Sequence, residues 1–217
     1  LNDIADKFIR DNGDTPSFLD YKPRGAKRPF PSSLCISLND EIVHGIPTED
    51  PISLKEGDIV SYDIGVTHKG LITDAAITVP VGEVSEESKK LINITREALS
   101  VGVKAARVGN TTGDIGYAIE SFVEPHGYGI PDDLGGHGVG YYVHEDPDVP
   151  NYGDPGSGTT LKEGMVLALE PMLLIGGNEI KLDADGYTYK TANGKRSAHF
   201  EHTIVITNGA PEILTKE

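Results

Sequence analysis

The sequence predicts an α+β fold, and three observations support that prediction. Residues 58–66 and 71–79 are apolar-rich runs separated only by Thr67-His68-Lys69-Gly70, the pattern of an antiparallel hairpin. Helical periodicity marks residues 1–12, about 86–107 and 111–123, and helices mixed with hairpins argue against a parallel α/β array. A weak internal repeat lies at an offset of 114, where Leu1, Ile4, Ala5, Phe8, Ile9 and Gly13 match Ile115, Ala118, Ile119, Phe122, Val123 and Gly127. Such a repeat implies two related halves. The second copy follows the 86–107 helix, whereas the first begins at Leu1, so the expectation is a chain lacking an N-terminal helix.

Taken in order, Ile4, Ala5, Phe8 and Ile9 form one face of the first helix and Gly13 stops it. Prolines, glycines and the basic cluster Lys22 to Arg28 make 14–33 an irregular loop. Leu34 to Val43 reads as extended and precedes the hairpin. Ser85-Glu86-Glu87-Ser88 opens the long helix, whose apolar positions include Leu91, Ile94, Ala98 and Val101. Thr111 opens the next helix. After Tyr128 come glycine-rich turns and short strands, the clearest at 164–170 and 198–207. With no covering helix, some of the first helix's apolar residues should stay exposed and favour association at high concentration.

With 217 residues, 37% hydrophobic and 24% charged, the chain suits one folded domain spanning 1–217. A net charge of −15 argues against nucleic acid or an anionic membrane as partner. No apolar run reaches the ~20 residues of a bilayer span, and the N-terminus lacks a signal-peptide pattern. The single cysteine, Cys35, excludes an internal disulfide and a cysteine-rich zinc module. These features lead to the expectation of an acidic, cytoplasmic monomer.

Asp63 and Asp74 sit inside the two hairpin strands. A symmetric loop around residues 67–70 sets them directly opposite each other, where like charges repel unless a cation lies between. His137 is flanked by glycines in Gly135-Gly136-His137-Gly138-Val139-Gly140, which leaves its imidazole unobstructed, and His144 follows seven residues later. Glu170 interrupts an apolar strand and Glu201 opens another, with Arg196 a nearby candidate ion-pair partner. Together, four carboxylates and one histidine suit a pair of divalent ions roughly 3.5–4 Å apart. Without sulfur in the set, manganese, iron, cobalt or zinc fits best.

At this point the segment from Cys35-Ile36-Ser37-Leu38-Asn39-Asp40 to His44-Gly45-Ile46-Pro47 resembles the signature of the type I methionine aminopeptidases. Aspartates eleven apart, Gly-His-Gly-Val-Gly, His-Glu-Asp-Pro, Glu-Pro-Met and Glu-His-Thr follow in that family's order. The resemblance implies the pita-bread fold, a curved antiparallel sheet backed by helices in pseudo-twofold halves, without the family's usual N-terminal helix. It implies Asp63, Asp74, His137, Glu170 and Glu201 as ligands to two metal ions, with Asp74 and Glu201 bridging. It implies His44 and His144 as substrate contacts and Phe30, Cys35 and Tyr187 as the methionine pocket. Tyr187 stands where some members have tryptophan, and the basic insertion at Lys22–Arg28 lies beside the pocket.

The implied reaction is removal of an N-terminal methionine ahead of a small second residue, from peptides or nascent chains at the ribosome. Glu170 would shuttle the proton, His144 would steady the oxyanion and His44 would contact the scissile-bond nitrogen. The alternatives are a proline-specific aminopeptidase or dipeptidase on the same fold, and a catalytically inactive binding module.

Overall fold

The computed structural model describes residues 1–23 and 25–216, so Arg24 of the basic insertion lies outside the described residues. The largest sheet is antiparallel. In order its strands are Thr15–Pro16, Ile59–His68, Leu71–Pro80, Glu201–Val205, Val166–Leu169, Gly135–Gly138 and Glu145–Pro150. Cys35–Leu38 also pairs with Ile59–His68, and Glu212–Ile213 with Glu201–Val205. One smaller sheet joins Ser197–His199, Met172–Ile175 and Tyr128–Gly129; another joins Ile180–Leu182, Tyr189–Thr191 and Glu41–Val43.

Three α-helices are described: α1 (Asn2–Asp11), α2 (Glu86–Ala105) and α3 (Thr112–Val123). The Ser85 hydroxyl caps α2 by accepting the Ser88 N–H at 3.2 Å. A reciprocal box of Thr111 and Asp114 caps α3. Each cap satisfies otherwise orphaned amides and contributes about 1 kcal/mol. The apolar faces of α2 (Leu91, Ala98, Leu99) and α3 (Ile115, Ile119) share one buried cluster with Leu167 and Ile204 of the sheet. The helix α1 buries only Ile9, while Leu1, Ile4 and Phe8 are 57%, 69% and 71% exposed. The exposed stripe expected from the unequal repeat is present.

The hairpin corrects one expectation. It closes on Lys69-Gly70, both at positive φ (48° and 85°), a two-residue turn that sets His68 opposite Leu71. Asp63 therefore faces Ala76, and Asp74 faces Gly65; the aspartates are not directly opposed. The register differs from the expected one by two residues. Because side chains alternate with a period of two, that shift leaves both aspartates on one face as diagonal neighbours. The other long extended runs are broken. Asn39, at φ 55°, separates Cys35–Leu38 from Glu41–Val43, and Phe200 separates Ser197–His199 from Glu201–Val205. At each break the chain moves from one sheet to another.

Candidate active site and metal centre

The sheet register assembles the site. Cys35, Asp63, Ala76 and Glu201 are successive cross-strand partners on four neighbouring strands, so they share a face. Asp74 lies two residues from Ala76 on that same face. His137, Ala168 and Thr203 form a second row one step along. Glu170, two residues beyond Ala168, sits just past the end of Val166–Leu169, before Pro171, and not within a strand as expected. The two alanines keep the centre of this polar face low, which leaves room above them.

The glycines around His137 also serve the sheet. A Cβ on Gly136 would lie 2.2 Å from the Ala168 carbonyl oxygen, and one on Gly138 equally near that of Asp146. They let the neighbouring strands close in and fix the backbone that carries His137. The His137 Nδ1–H donates to the Gly138 carbonyl at 2.9 Å, so the Nε2 lone pair faces the carboxylates. That Nε2 lies 3.4 Å from Glu170 Oε1. Thr203 holds Asp74 in a clamp: its hydroxyl accepts the Asp74 N–H and donates to the Asp74 carbonyl, each at 2.7 Å.

Electrostatically the floor is unstable as a set of free anions. Burial first, then the neighbouring acids Asp74 and Glu170, pushes Asp63 well above the usual carboxylate range. Glu170 and Glu201 are raised for the same reasons, and burial lifts Asp74 to about 7. Arg196 does not relieve them: its guanidinium bonds the Ser88 hydroxyl and the Gly57 carbonyl instead. Asp63 Oδ1 and Glu201 Oε1 are buried with no hydrogen-bond partner among the described residues. Oxygen donors without partners, their charged forms disfavoured by burial and mutual repulsion, and an imidazole nitrogen facing them fit divalent cations. Single donor atoms of Asp74, His137 and Glu201 lie within 4.8 Å of one another, as do those of Glu170, His199 and Glu201.

A cleft of about 820 Å³ opens over this floor. His44 stands at its rim with φ 61°, a conformation that non-glycine residues seldom adopt outside constrained sites. Burial, then nearby His144, lowers its pKa to about 4, so the ring is neutral. The His144 side chain is exposed, and its ring packs edge-on against His137 with centroids 4.4 Å apart. The crowded cleft wall and then His137 lower its pKa. Its Nδ1 is hydrogen-bonded to the Tyr21 hydroxyl at 2.7 Å.

Beside the carboxylates, Phe30, Cys35 and Tyr187 join Phe18 and Val143 in a buried apolar cluster. Phe30 meets Tyr187 edge to face at 5.2 Å. The Tyr187 hydroxyl donates to the Arg28 carbonyl, and the Arg28 guanidinium lies 5.9 Å from the Tyr187 ring. Ala26 and Arg28 of the basic insertion thus border the apolar cluster. The residues expected as ligands, substrate contacts and pocket all line this cleft, whereas Arg196 does not. Three partners escaped that reading. Tyr21 was hidden in an irregular loop; Thr203 and His199 were signalled only by strand alternation on either side of Glu201.

The family model for metallopeptidase family M24 matches residues 2–208. A methionine aminopeptidase of Clostridium perfringens is 48% identical over 99% of this chain and 83% of its own length. The crystal structure of methionine aminopeptidase from Rickettsia prowazekii superposes with a TM-score of 0.93 at 41% identity, covering 99% of this chain and 84% of that one. The prolidase of Pyrococcus furiosus is more distant, with a TM-score of 0.69 at 27% identity, covering 89% of this chain and 51% of its own. The curved antiparallel sheet backed by helices is therefore the pita-bread fold. The chain belongs to metallopeptidase family M24, within its type I methionine aminopeptidase branch.

Proposed function

We propose that this chain removes the N-terminal methionine from peptides and nascent proteins whose second residue is small. The observation that supports it best is the pairing, in one cleft, of a buried acid and histidine floor with an apolar pocket of Phe30, Cys35 and Tyr187. The flexible, unbranched thioether of methionine suits such a pocket. Asp63, Asp74, His137, Glu170 and Glu201 would hold two divalent ions of manganese, iron, cobalt or zinc. When bound, such ions acidify water and polarise the scissile carbonyl.

The remaining chemistry falls to side chains. Glu170 is raised by burial and borders the cleft, so it takes a proton readily and returns it to the leaving amine. His144 donates from Nε2 to the developing oxyanion, provided Nδ1 is the acceptor of the Tyr21 hydroxyl; Tyr21 thereby fixes the required tautomer. Neutral His44 contacts the scissile-bond nitrogen from the opposite rim. The reading describes a single catalytic domain, acting as a monomer in the cytoplasm on emerging chain ends.

The test is turnover of Met-Ala-Ser against a Xaa-Pro peptide, with each of the four metals supplied in turn. Faster cleavage of Met-Ala-Ser is expected. Preference for Xaa-Pro would move the chain to the proline-specific peptidases, and no turnover of either would make it a binding module.

A further inference from the structure

His199 is not among the five ligands that the resemblance implies, yet it is the most isolated histidine of the floor. Its residue is 1% exposed, and neither Nδ1 nor Nε2 has a hydrogen-bond partner among the described residues. Buried polar atoms are nearly always paired, so this side chain calls for an explanation. Its backbone is well fixed: the His199 N–H donates to the Thr78 hydroxyl, which donates back to the His199 carbonyl, each at 2.8 Å.

The distances decide between two explanations. His199 Nε2 lies 3.5 Å from Glu170 Oε2 and 3.9 Å from Glu201 Oε2. Both exceed the ~2.7–3.2 Å of an N–H···O hydrogen bond. Both match the separation of two ligand atoms on one cation, roughly 3–4 Å for bonds of about 2.0–2.2 Å. His137 provides an internal standard, since its Nε2 stands 3.4 Å from the other oxygen of Glu170. The two groups of convergent donors, Asp74–His137–Glu201 and Glu170–His199–Glu201, each contain one histidine and share Glu201. Although Phe200 separates the strands of His199 and Glu201, donor atoms of both side chains converge with Glu170 within 4.8 Å.

We propose that His199 is a sixth ligand residue of the metal centre, giving its cations a second imidazole nitrogen. This rests on the metal-dependent reading above. A second nitrogen shifts selectivity away from manganese and towards zinc, iron or cobalt, because imidazole suits the latter and all-oxygen sets suit the former.

The test is X-ray absorption at the zinc edge of the zinc-loaded full chain, with calorimetric titration of zinc and of manganese. Two imidazoles per bound metal pair are expected in the unaltered protein and one in His199→Gln. The variant should bind zinc at least about tenfold more weakly, with manganese affinity changed much less. A single imidazole in the unaltered protein overturns the proposal, as does an unchanged imidazole count in a folded His199→Gln. If circular dichroism shows that the variant does not fold, the count in the unaltered protein decides alone. Absence of any metal binding would overturn the metal-dependent reading together with this proposal. Binding through one imidazole would overturn only this proposal.

Discussion

On the floor of the cleft His137 and His199 belong to strands, are 8% and 1% exposed, and stand within 3.5 Å of Glu170. At the rim His44 and His144 lie outside strands, and among the described ion pairs neither meets a carboxylate of the cluster. One residue type thus occupies two environments a few ångströms apart. The floor is fixed by sheet register, which aims lone pairs at buried acids. The rim is held by side-chain contacts such as Tyr21–His144, which leave ring nitrogens turned towards whatever enters. In the proposed reading the same imidazole serves as a ligand in one place and a hydrogen-bond donor in the other.

The largest expected effect breaks the floor. Asp74→Asn removes a charge from the centre of the cluster while retaining a side chain of equal size for the Thr203 clamp, which uses only Asp74 backbone atoms. Activity should fall by at least about 10²-fold, beyond what losing a partner of a ligand costs, and metal content should fall with it. The metal-free fold should melt no lower than the parent, because repulsion with Asp63 is relieved. Full activity at normal metal content would remove Asp74 from the site.

Breaking the rim should leave the floor loaded. His144→Ala is expected to lower kcat on the order of 10²–10³-fold, the usual loss for one oxyanion donor, with metal stoichiometry unchanged. Tyr21→Phe should lower kcat less, since it frees the tautomer without removing the donor. Loss of metal from His144→Ala would erase the distinction between floor and rim.

That distinction also separates what was legible in the sequence from what was not. Asp63, Asp74, Glu170 and Glu201 stood out because charges inside apolar strands are costly alone. The shared face of Asp63 and Asp74 was correct even though the hairpin register was two residues off, because a face depends only on whether the shift is even. His199 gave no such signal. It follows Ala198 and precedes Phe200 in a run that reads as one strand, and its pairing opposite Met172, two residues from Glu170, depends on a sheet that the run does not reveal. Tyr21 could not be placed because loop paths depend on tertiary packing. The helices were clear throughout, since capping residues and 3.6-residue periodicity are local.

A pH experiment sharpens the contrast without a mutation. Asp63, Asp74, Glu170 and Glu201 bind protons more tightly in the folded chain than in the unfolded one. Where the native state holds more protons, stability falls as pH rises. The depressed histidines, His44, His137, His144 and His199, act in the opposite sense, but only below their ordinary value near 6.5. The metal-free protein should therefore lose thermal stability as pH rises above about 6.5, where the histidines no longer offset the acids, and on through about 7, where Asp74 gives up its proton. The metal-loaded protein should lose much less, because cations replace the protons. Parallel melting curves for the two forms would show that the floor does not hold its protons as described.

The smallest effect is expected far from the cleft, on α1, where burial and exposure divide a single helix. Ile9 is 4% exposed, whereas Ile4 and Phe8, one turn apart on the same side, are 69% and 71% exposed. The corresponding second copy in α3 has α2 to pack against and buries Ile115, Ile119 and Val123. Equal apolar patterning thus gives unequal burial among the described residues. Ile9→Ala should cost about 2–4 kcal/mol, as truncations of buried isoleucine do. The pair Ile4→Gln and Phe8→Gln should change stability by no more than about 0.5 kcal/mol per site, because no packing is lost. The same pair should reduce light scattering at high concentration, since it removes a contiguous apolar patch. Activity on Met-Ala-Ser should not move, because no residue of α1 lines the cleft over the carboxylates. A large loss of stability from the double variant would mean that Ile4 and Phe8 are covered in solution, and the stripe would then have to be treated as an occupied interface.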